Sequence, residues 1–131
     1  MSVQEESLRL HERGFNCAQS VLAALGSYTG LDEKTALAVS GGFGGGVRCG
    51  EICGAASGAV MAIGLAFPYA DGEDAEARAR IAKLTMRLNR DFVKEFGCIR
   101  CQDLKRNGVP CDELIAWAAR RAEEIIQENK N

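Results

Sequence analysis

The sequence predicts an all-α fold: one compact domain over residues 1–131, a bundle of five to six helices around an apolar central helix. Three observations predict it. Apolar residues recur at three- and four-residue spacing almost throughout, and no stretch alternates as a half-buried strand does. The segment from about Glu51 to Pro68 is apolar on nearly all faces, as a helix surrounded by others must be. The chain has 131 residues, 47% hydrophobic and 26% charged, which is enough to bury a core without disulfide or metal staples.

Each element has its own signals. Residues 2–13 read as a short polar helix, stopped by Gly14. Asn16 is a good N-cap, and Cys17, Val21, Leu25 and Tyr28 then form the stripe of a second helix that ends near Gly30. Asp32 caps a third helix carrying Ala36 and Val39. The run Gly41-Gly42-Phe43-Gly44-Gly45-Gly46 has too little helix propensity to continue it. A fourth helix begins around Glu51 and ends near Pro68. Asp71-Gly72-Glu73-Asp74 opens the fifth and longest, roughly 73–96, with Ala77, Ile81, Leu84, Leu88, Phe92 and Phe96 on its apolar face and Gly97 at its end. Cys98 to Pro110 reads as a loop with about one helical turn. Pro110 fits the first turn of a sixth helix, whose stripe is Leu114, Ile115, Ala118, Ala122, Ile125 and Ile126.

Composition narrows the function. The net charge is −2, so a nucleic-acid partner is not expected, because phosphate binding needs a surplus of Lys and Arg. The single histidine, His11, rules out sites built on two or three imidazoles. No Cys-x-x-Cys-His occurs, so c-type haem attachment is excluded. The first seven residues are polar and acidic and do not resemble a secretory signal. Residues 52–70 are uncharged, but glycines, alanines and Pro68 make them only weakly hydrophobic. They read as a core helix and not a membrane span. The expected location is therefore the cytoplasm, where cysteines more often serve as metal ligands or redox groups than as structural disulfides.

The six cysteines are Cys17, Cys49, Cys53, Cys98, Cys101 and Cys111. Cys17 follows an N-cap, and Cys53 and Cys111 lie in the first turns of helices. Free N–H groups and the helix dipole stabilise a thiolate there. Arg48 adjoins Cys49, and Arg100 lies between Cys98 and Cys101, so nearby positive charge should lower the thiol pKa further. Core filling is the competing explanation, strongest for Cys17, which shares a stripe with Val21 and Leu25. Cys98-Ile99-Arg100-Cys101 has the thioredoxin spacing without its strand–helix setting. Cys53 and Cys98 are separated by 44 residues, too far for a zinc ribbon, and no ferredoxin spacing is present. A helical bundle can nevertheless gather distant cysteines, so a dithiol, an iron–sulfur cluster and another thiolate-bound metal all stay open.

Nine of the fifteen glycines fall between Gly41 and Gly64. Gly42, Gly46, Gly50, Gly54 and Gly58 are spaced by four, so the later ones would line one face of the central helix if it reached back to Gly50. A bare face admits either another backbone or a bulky inorganic group. Gly54, Gly58 and Arg48 are accordingly candidate cofactor contacts, with close helix packing as the alternative. The loop lacks the Gly-Lys-Ser/Thr of a phosphate-binding loop and the strand of a dinucleotide fold.

Asn16-Cys17-Ala18-Gln19, the Gly41–Gly46 loop, Cys53-Gly54-Ala55-Ala56-Ser57-Gly58, Cys101-Gln102-Asp103-Leu104 and Cys111 together resemble the C_GCAxxG_C_C family of putative redox-active proteins. The resemblance spans nearly the whole chain. It implies a small, mainly helical protein with a four-cysteine site, carried here by Cys17, Cys53, Cys101 and Cys111. It also implies a functional link to a transporter, and similarity to a domain of split-Soret cytochromes with a non-haem iron centre. Cys49 and Cys98 are additions to the family pattern and could be resolving thiols, extra ligands or neither.

The expected function is a redox-active protein with clustered thiolates, either cycling between dithiol and disulfide or holding an iron–sulfur or non-haem iron centre for electron transfer. In the thiol version Cys53 attacks, and Cys101 or Cys17 resolves. The alternative is a structural zinc- or iron-binding module acting in partner binding or metal sensing. The redox partner is unspecified by the sequence. The glycine-faced helix would suit a homodimer.

Overall fold

Gly54–Ala66 carries no charged residue, and Ala55, Ala56, Ala59, Ala62 and Ile63 along it are wholly inaccessible to solvent. In the computed structural model, which describes residues 1–130, the other helices gather around this one. In chain order the α-helices are α1 (Val3–Glu12), α2 (Cys17–Ala24), α3 (Gly26–Thr29), α4 (Glu33–Val39), α5 (Gly54–Ala66), α6 (Ala75–Phe96), α7 (Cys101–Arg106) and α8 (Cys111–Asn129). Helix α5 packs on α2, α8, α6 and α3, and α1 lies across α2 and α8. The core is a single hydrophobic cluster, with Leu22, Leu25, Ile63, Phe92, Ile115 and Ile125 fully buried in it. The chain is all-α, as the periodicity predicts.

The helices start where short polar side chains can serve orphan N–H groups. Ser2, Asn16, Asp32 and Asp74 each accept from the backbone N–H three residues on. Gly30 and Gly97 end α3 and α6 in the left-handed conformation, with φ of 72° and 87°. Along α8, Leu114, Ile115, Ala118, Ala122, Ile125 and Ile126 are all buried. Phe92 and Phe96 of α6 each meet Trp117 of α8 edge to face, and the three ring centroids lie 4.9–5.6 Å apart. Arg121 on α8 reaches Asp91 on α6 at 2.7 Å beside them.

The helix count exceeds the five to six expected, for two local reasons. The second expected helix breaks at Leu25 into α2 and α3. The expected loop 98–110 contains α7. Pro110 stands at the N-cap of α8 and not within its first turn.

Two departures bear on the cysteines. The central helix starts at Gly54, not near Glu51, because residues 51–53 run extended against residues 99–101. Cys53 N–H donates to the Ile99 carbonyl at 2.8 Å and Cys101 N–H to the Glu51 carbonyl at 2.6 Å, around an antiparallel bridge between Ile52 and Arg100. Gly50 is therefore not on the α5 face. Just upstream, Gly45, Gly46, Val47 and Arg48 all have φ between 59° and 64°, a left-handed turn that includes a β-branched residue. No helix among the described residues is long and apolar enough to cross a membrane.

Candidate functional site

Each of the four cysteines of the recurring pattern stands at the start of a helix. Cys17 is the first residue of α2, Cys53 is the N-cap of α5, Cys101 is the first residue of α7, and Cys111 is the first residue of α8. The helix start at Cys101 is one the sequence analysis does not anticipate. All four line one cavity of about 70 Å³, together with Gly45, Gly54, Leu104, Lys105, Val109 and Leu114. On that scale a single water needs roughly 10–15 Å³, so the space admits a few waters or a small inorganic group. Larger grooves exist on the α6 and α8 surfaces, but no cysteine lines them.

The backbone explains how four distant residues meet. Asn16 and Gln19 form a reciprocal cap on α2: Gln19 N–H donates to Asn16 Oδ1 at 2.9 Å, and Asn16 N–H to Gln19 Oε1 at 3.0 Å. Their amide groups then reach outward. Asn16 Nδ2 donates to the Gly41 carbonyl at 3.0 Å, and Gln19 Nε2 to the Leu37 carbonyl at 2.9 Å. The start of α2 is thereby tied to α4 and to the glycine-rich loop. A side chain at Gly44 would strike Asn16, and one at Gly46 would come within 2.9 Å of Cys101 Cβ. The loop lies this close only because it has no side chains at those points. The 51–53/99–101 bridge then holds Cys53 beside Cys101. Arg100 closes over it, paired with Glu51 at 2.9 Å.

Burial dominates the thiol chemistry. The sequence leads one to expect lowered thiol pKa values, and the structure corrects this for two of them. Burial first, and the Cys101 and Cys111 thiols after it, push Cys53 up to about 11, although the Ala56 and Ala55 N–H groups at the start of α5 pull the other way. Cys17 is raised further, by burial and then by Cys111, Cys53 and Cys101. Cys111 is the thiol that acts most strongly on Cys17. Cys17 and Cys53 therefore become thiolates together readily only if a positive charge compensates them.

The remaining candidates lie elsewhere. Cys49 is exposed on the left-handed turn, with Sγ donating to the Gly46 carbonyl at 3.4 Å. Cys98 is partly buried and accepts from Asn107 Nδ2 at 3.9 Å. Neither lines the cavity, and neither does Arg48, whose side chain is exposed. Gly54 borders the cavity and packs on Cys17 and Ala18, whereas Gly58 faces Ala18 and Val21 of α2. The bare face of α5 is thus mainly a packing face. Lys105 and the apolar wall of Leu104, Val109 and Leu114 are cavity residues that the sequence analysis misses. The buried position of Leu114 follows from helical spacing along α8, but nothing in the sequence points Leu104 or Lys105 toward the thiols.

Among the described residues, no three His, Cys, Asp or Glu side chains stand in position to hold one metal ion. Neither a curated protein nor a solved structure matches the chain. A family model does: the one described as "Putative redox-active protein (C_GCAxxG_C_C)" matches residues 15–125, from the Phe15-Asn16-Cys17 entrance of α2 to the last turns of α8, and takes in all four cavity cysteines. The chain belongs to the C_GCAxxG_C_C family of putative redox-active proteins.

Proposed function

We propose that the chain is an electron-carrying redox protein in which Cys17, Cys53, Cys101 and Cys111 together hold an iron–sulfur cluster. The observation that carries this reading is the enclosure of these four thiols, from four separate helix starts, around one small cavity. The donor set suits the group. It is all sulfur, with no carboxylate or imidazole lining the space, which favours soft metals and iron–sulfur units over magnesium or calcium. When bound, such a group supplies one-electron transfer.

The protein's own residues supply the rest. The N-termini of α2, α5 and α8 direct partial positive charge toward the thiolates. The Ala55 and Ala56 N–H groups stabilise charge on Cys53. Leu104, Val109 and Leu114 limit water around the sulfurs. Burial and N–H donation of this kind are the levers by which a protein sets the potential of a sulfur-ligated centre.

Cys17 and Cys111 line the same cavity, and Cys111 is the thiol that acts most strongly on Cys17, which favours a second reading in which these two cycle between dithiol and disulfide. Oxidation would form one S–S bond and pass two electrons and two protons to an oxidant of the disulfide class. Burial raises the pKa of both Cys17 and Cys53, so neither is a ready attacking thiolate at neutral pH, which counts against this reading beside the cluster.

Anaerobic purification followed by visible spectroscopy and assays for iron, sulfide, zinc and free thiol tests both. Charge-transfer absorbance with stoichiometric iron and sulfide, lost in Cys53→Ser and Cys101→Ser, supports the cluster. A colourless protein that takes up no iron on reconstitution and gains a Cys17–Cys111 disulfide on oxidation replaces it with the dithiol. Stoichiometric zinc without redox activity would overturn both in favour of a structural module.

A further inference from the structure

Among the residues that line the cysteine cavity, only Lys105 has a charged side chain apart from the thiols themselves. It is exposed, on the last turn of α7, and no ion pair among the described residues involves it. Its cationic neighbours are neutralised: Arg106 pairs with Asp103 at 3.3 Å, and Arg100 with Glu51 at 2.9 Å. The acidic residues of the first turn of α8, Asp112 and Glu113, are exposed and do not line the cavity, and Asp112 lies 3.7 Å from His11 Nε2. The cavity rim therefore carries one positive charge without an ion-pair partner, beside an apolar wall of Leu104, Val109 and Leu114.

We propose that Lys105 makes this cavity selective for small anions, so that the reactant reaching its thiols is a small, negatively charged, thiol-reactive compound. Size and charge both limit the class. A space of about 70 Å³ excludes a peptide, and a single cation at the mouth raises the local concentration of anions over neutral molecules of equal size. Lys105 acts here as a specificity residue at the entrance. The inference rests on the dithiol reading, in which the cavity thiols are free to meet a reactant.

The test uses reduced, metal-free full-length protein carrying Cys49→Ser and Cys98→Ser, which removes the two thiols outside the cavity. Its alkylation is followed site by site with iodoacetate, an anion, and iodoacetamide, its neutral analogue of similar size. In each case a cavity thiolate displaces iodide: an S–C bond forms, a C–I bond breaks, and the thiol proton passes to solvent. The iodoacetate-to-iodoacetamide rate ratio should fall several-fold in Lys105→Gln and further in Lys105→Glu, and hold in Lys105→Arg. These differences should shrink as salt rises from about 10 mM to about 1 M, as screening requires. An unchanged ratio in Lys105→Gln and Lys105→Glu overturns the proposal. So does an equal change of both rates, which would mark a purely structural role. Either failure leaves the iron and sulfide measurements on the wild-type protein untouched, so the two readings fail separately.

Discussion

Gly58 lies so close to Ala18 that a methyl group built on it would stand 2.7 Å from the Ala18 carbonyl oxygen. The atom in the way is backbone, so relief requires α5 and α2 to separate. Overpacking of this kind costs about 1–3 kcal/mol, against a gain of roughly 1 kcal/mol for alanine over glycine within a helix. Gly58→Ala should therefore destabilise the protein, and because α2 carries Cys17 and α5 carries Cys53, it should also disturb the cysteine cavity. Gly64, six residues along the same helix, has nothing within 4 Å of its would-be methyl. Gly64→Ala should stabilise by about 0.5–1 kcal/mol. Urea unfolding of both variants checks the pair, and similar stabilities would mean that α2 and α5 do not approach this closely.

Asn16 does two things at once, and two substitutions separate them. Asn16→Ala removes the acceptor for Gln19 N–H and the donor to the Gly41 carbonyl, and should cost about 1–2 kcal/mol. Asn16→Asp keeps the cap but loses the donor, so it should recover most of the helix stability while leaving the glycine loop untied. Chemical denaturation reads the first effect. Hydrogen exchange at residues 41–46 reads the second: both variants should lose protection there, and protection equal to that of the wild type would contradict the tie.

Val47 and Arg48 hold left-handed conformations with φ of 59° and 60°, yet both side chains are exposed and pack on little. A left-handed L-residue costs roughly 1–2 kcal/mol, and glycine avoids that at an entropic cost of about 0.5–1 kcal/mol in the unfolded chain. Val47→Gly should accordingly raise stability by about 0.5–1 kcal/mol without lost packing. A thermal midpoint below that of the wild type would show that the turn is not left-handed at this residue.

Much of this architecture is legible in the sequence because it is local. Asn16, Asp32, Gly30 and Gly97 act through their own backbone neighbours, and the stripe from Leu114 to Ile126 is a repeating pattern on one helix. The expectation that Cys17, Cys53 and Cys111 begin helices rests on the same signals. What escapes is non-local. The Ile52–Arg100 bridge joins segments almost fifty residues apart, and neither half alternates in hydrophobicity, so nothing marks it. It shortens the central helix at its start and makes Cys101 a neighbour of Cys53. Lys105 escapes for a related reason, since its chemistry depends on what α7 faces and not on its spacing from Cys101. The direction of the thiol pKa shifts is misjudged because sequence shows a helix start but not the burial that outweighs it.

That burial has a measurable consequence in the reduced, metal-free protein. Cys53 is pushed up to about 11, above the roughly 8.5 of a free thiol. Below about pH 8 both folded and unfolded chains keep the proton, and stability does not change with this group. Between the two values the unfolded chain releases a proton that the folded chain still holds, so the unfolded state gains and stability falls as pH rises. The loss from Cys53 is on the order of 2–3 kcal/mol by pH 11. Cys17 shifts in the same direction and adds to it. Tyr28, raised by its hydrogen bond to Glu123, contributes a slope of the same sign, so the comparison with variants carries the test. Cys53→Ala and Cys17→Ser should each flatten the decline between pH 8.5 and 10.5, whatever they do to stability at pH 7. Loading the site should flatten it as well, because bound thiolates have already given up their protons. A slope equal in the wild type and both variants would mean that these thiols are not buried together.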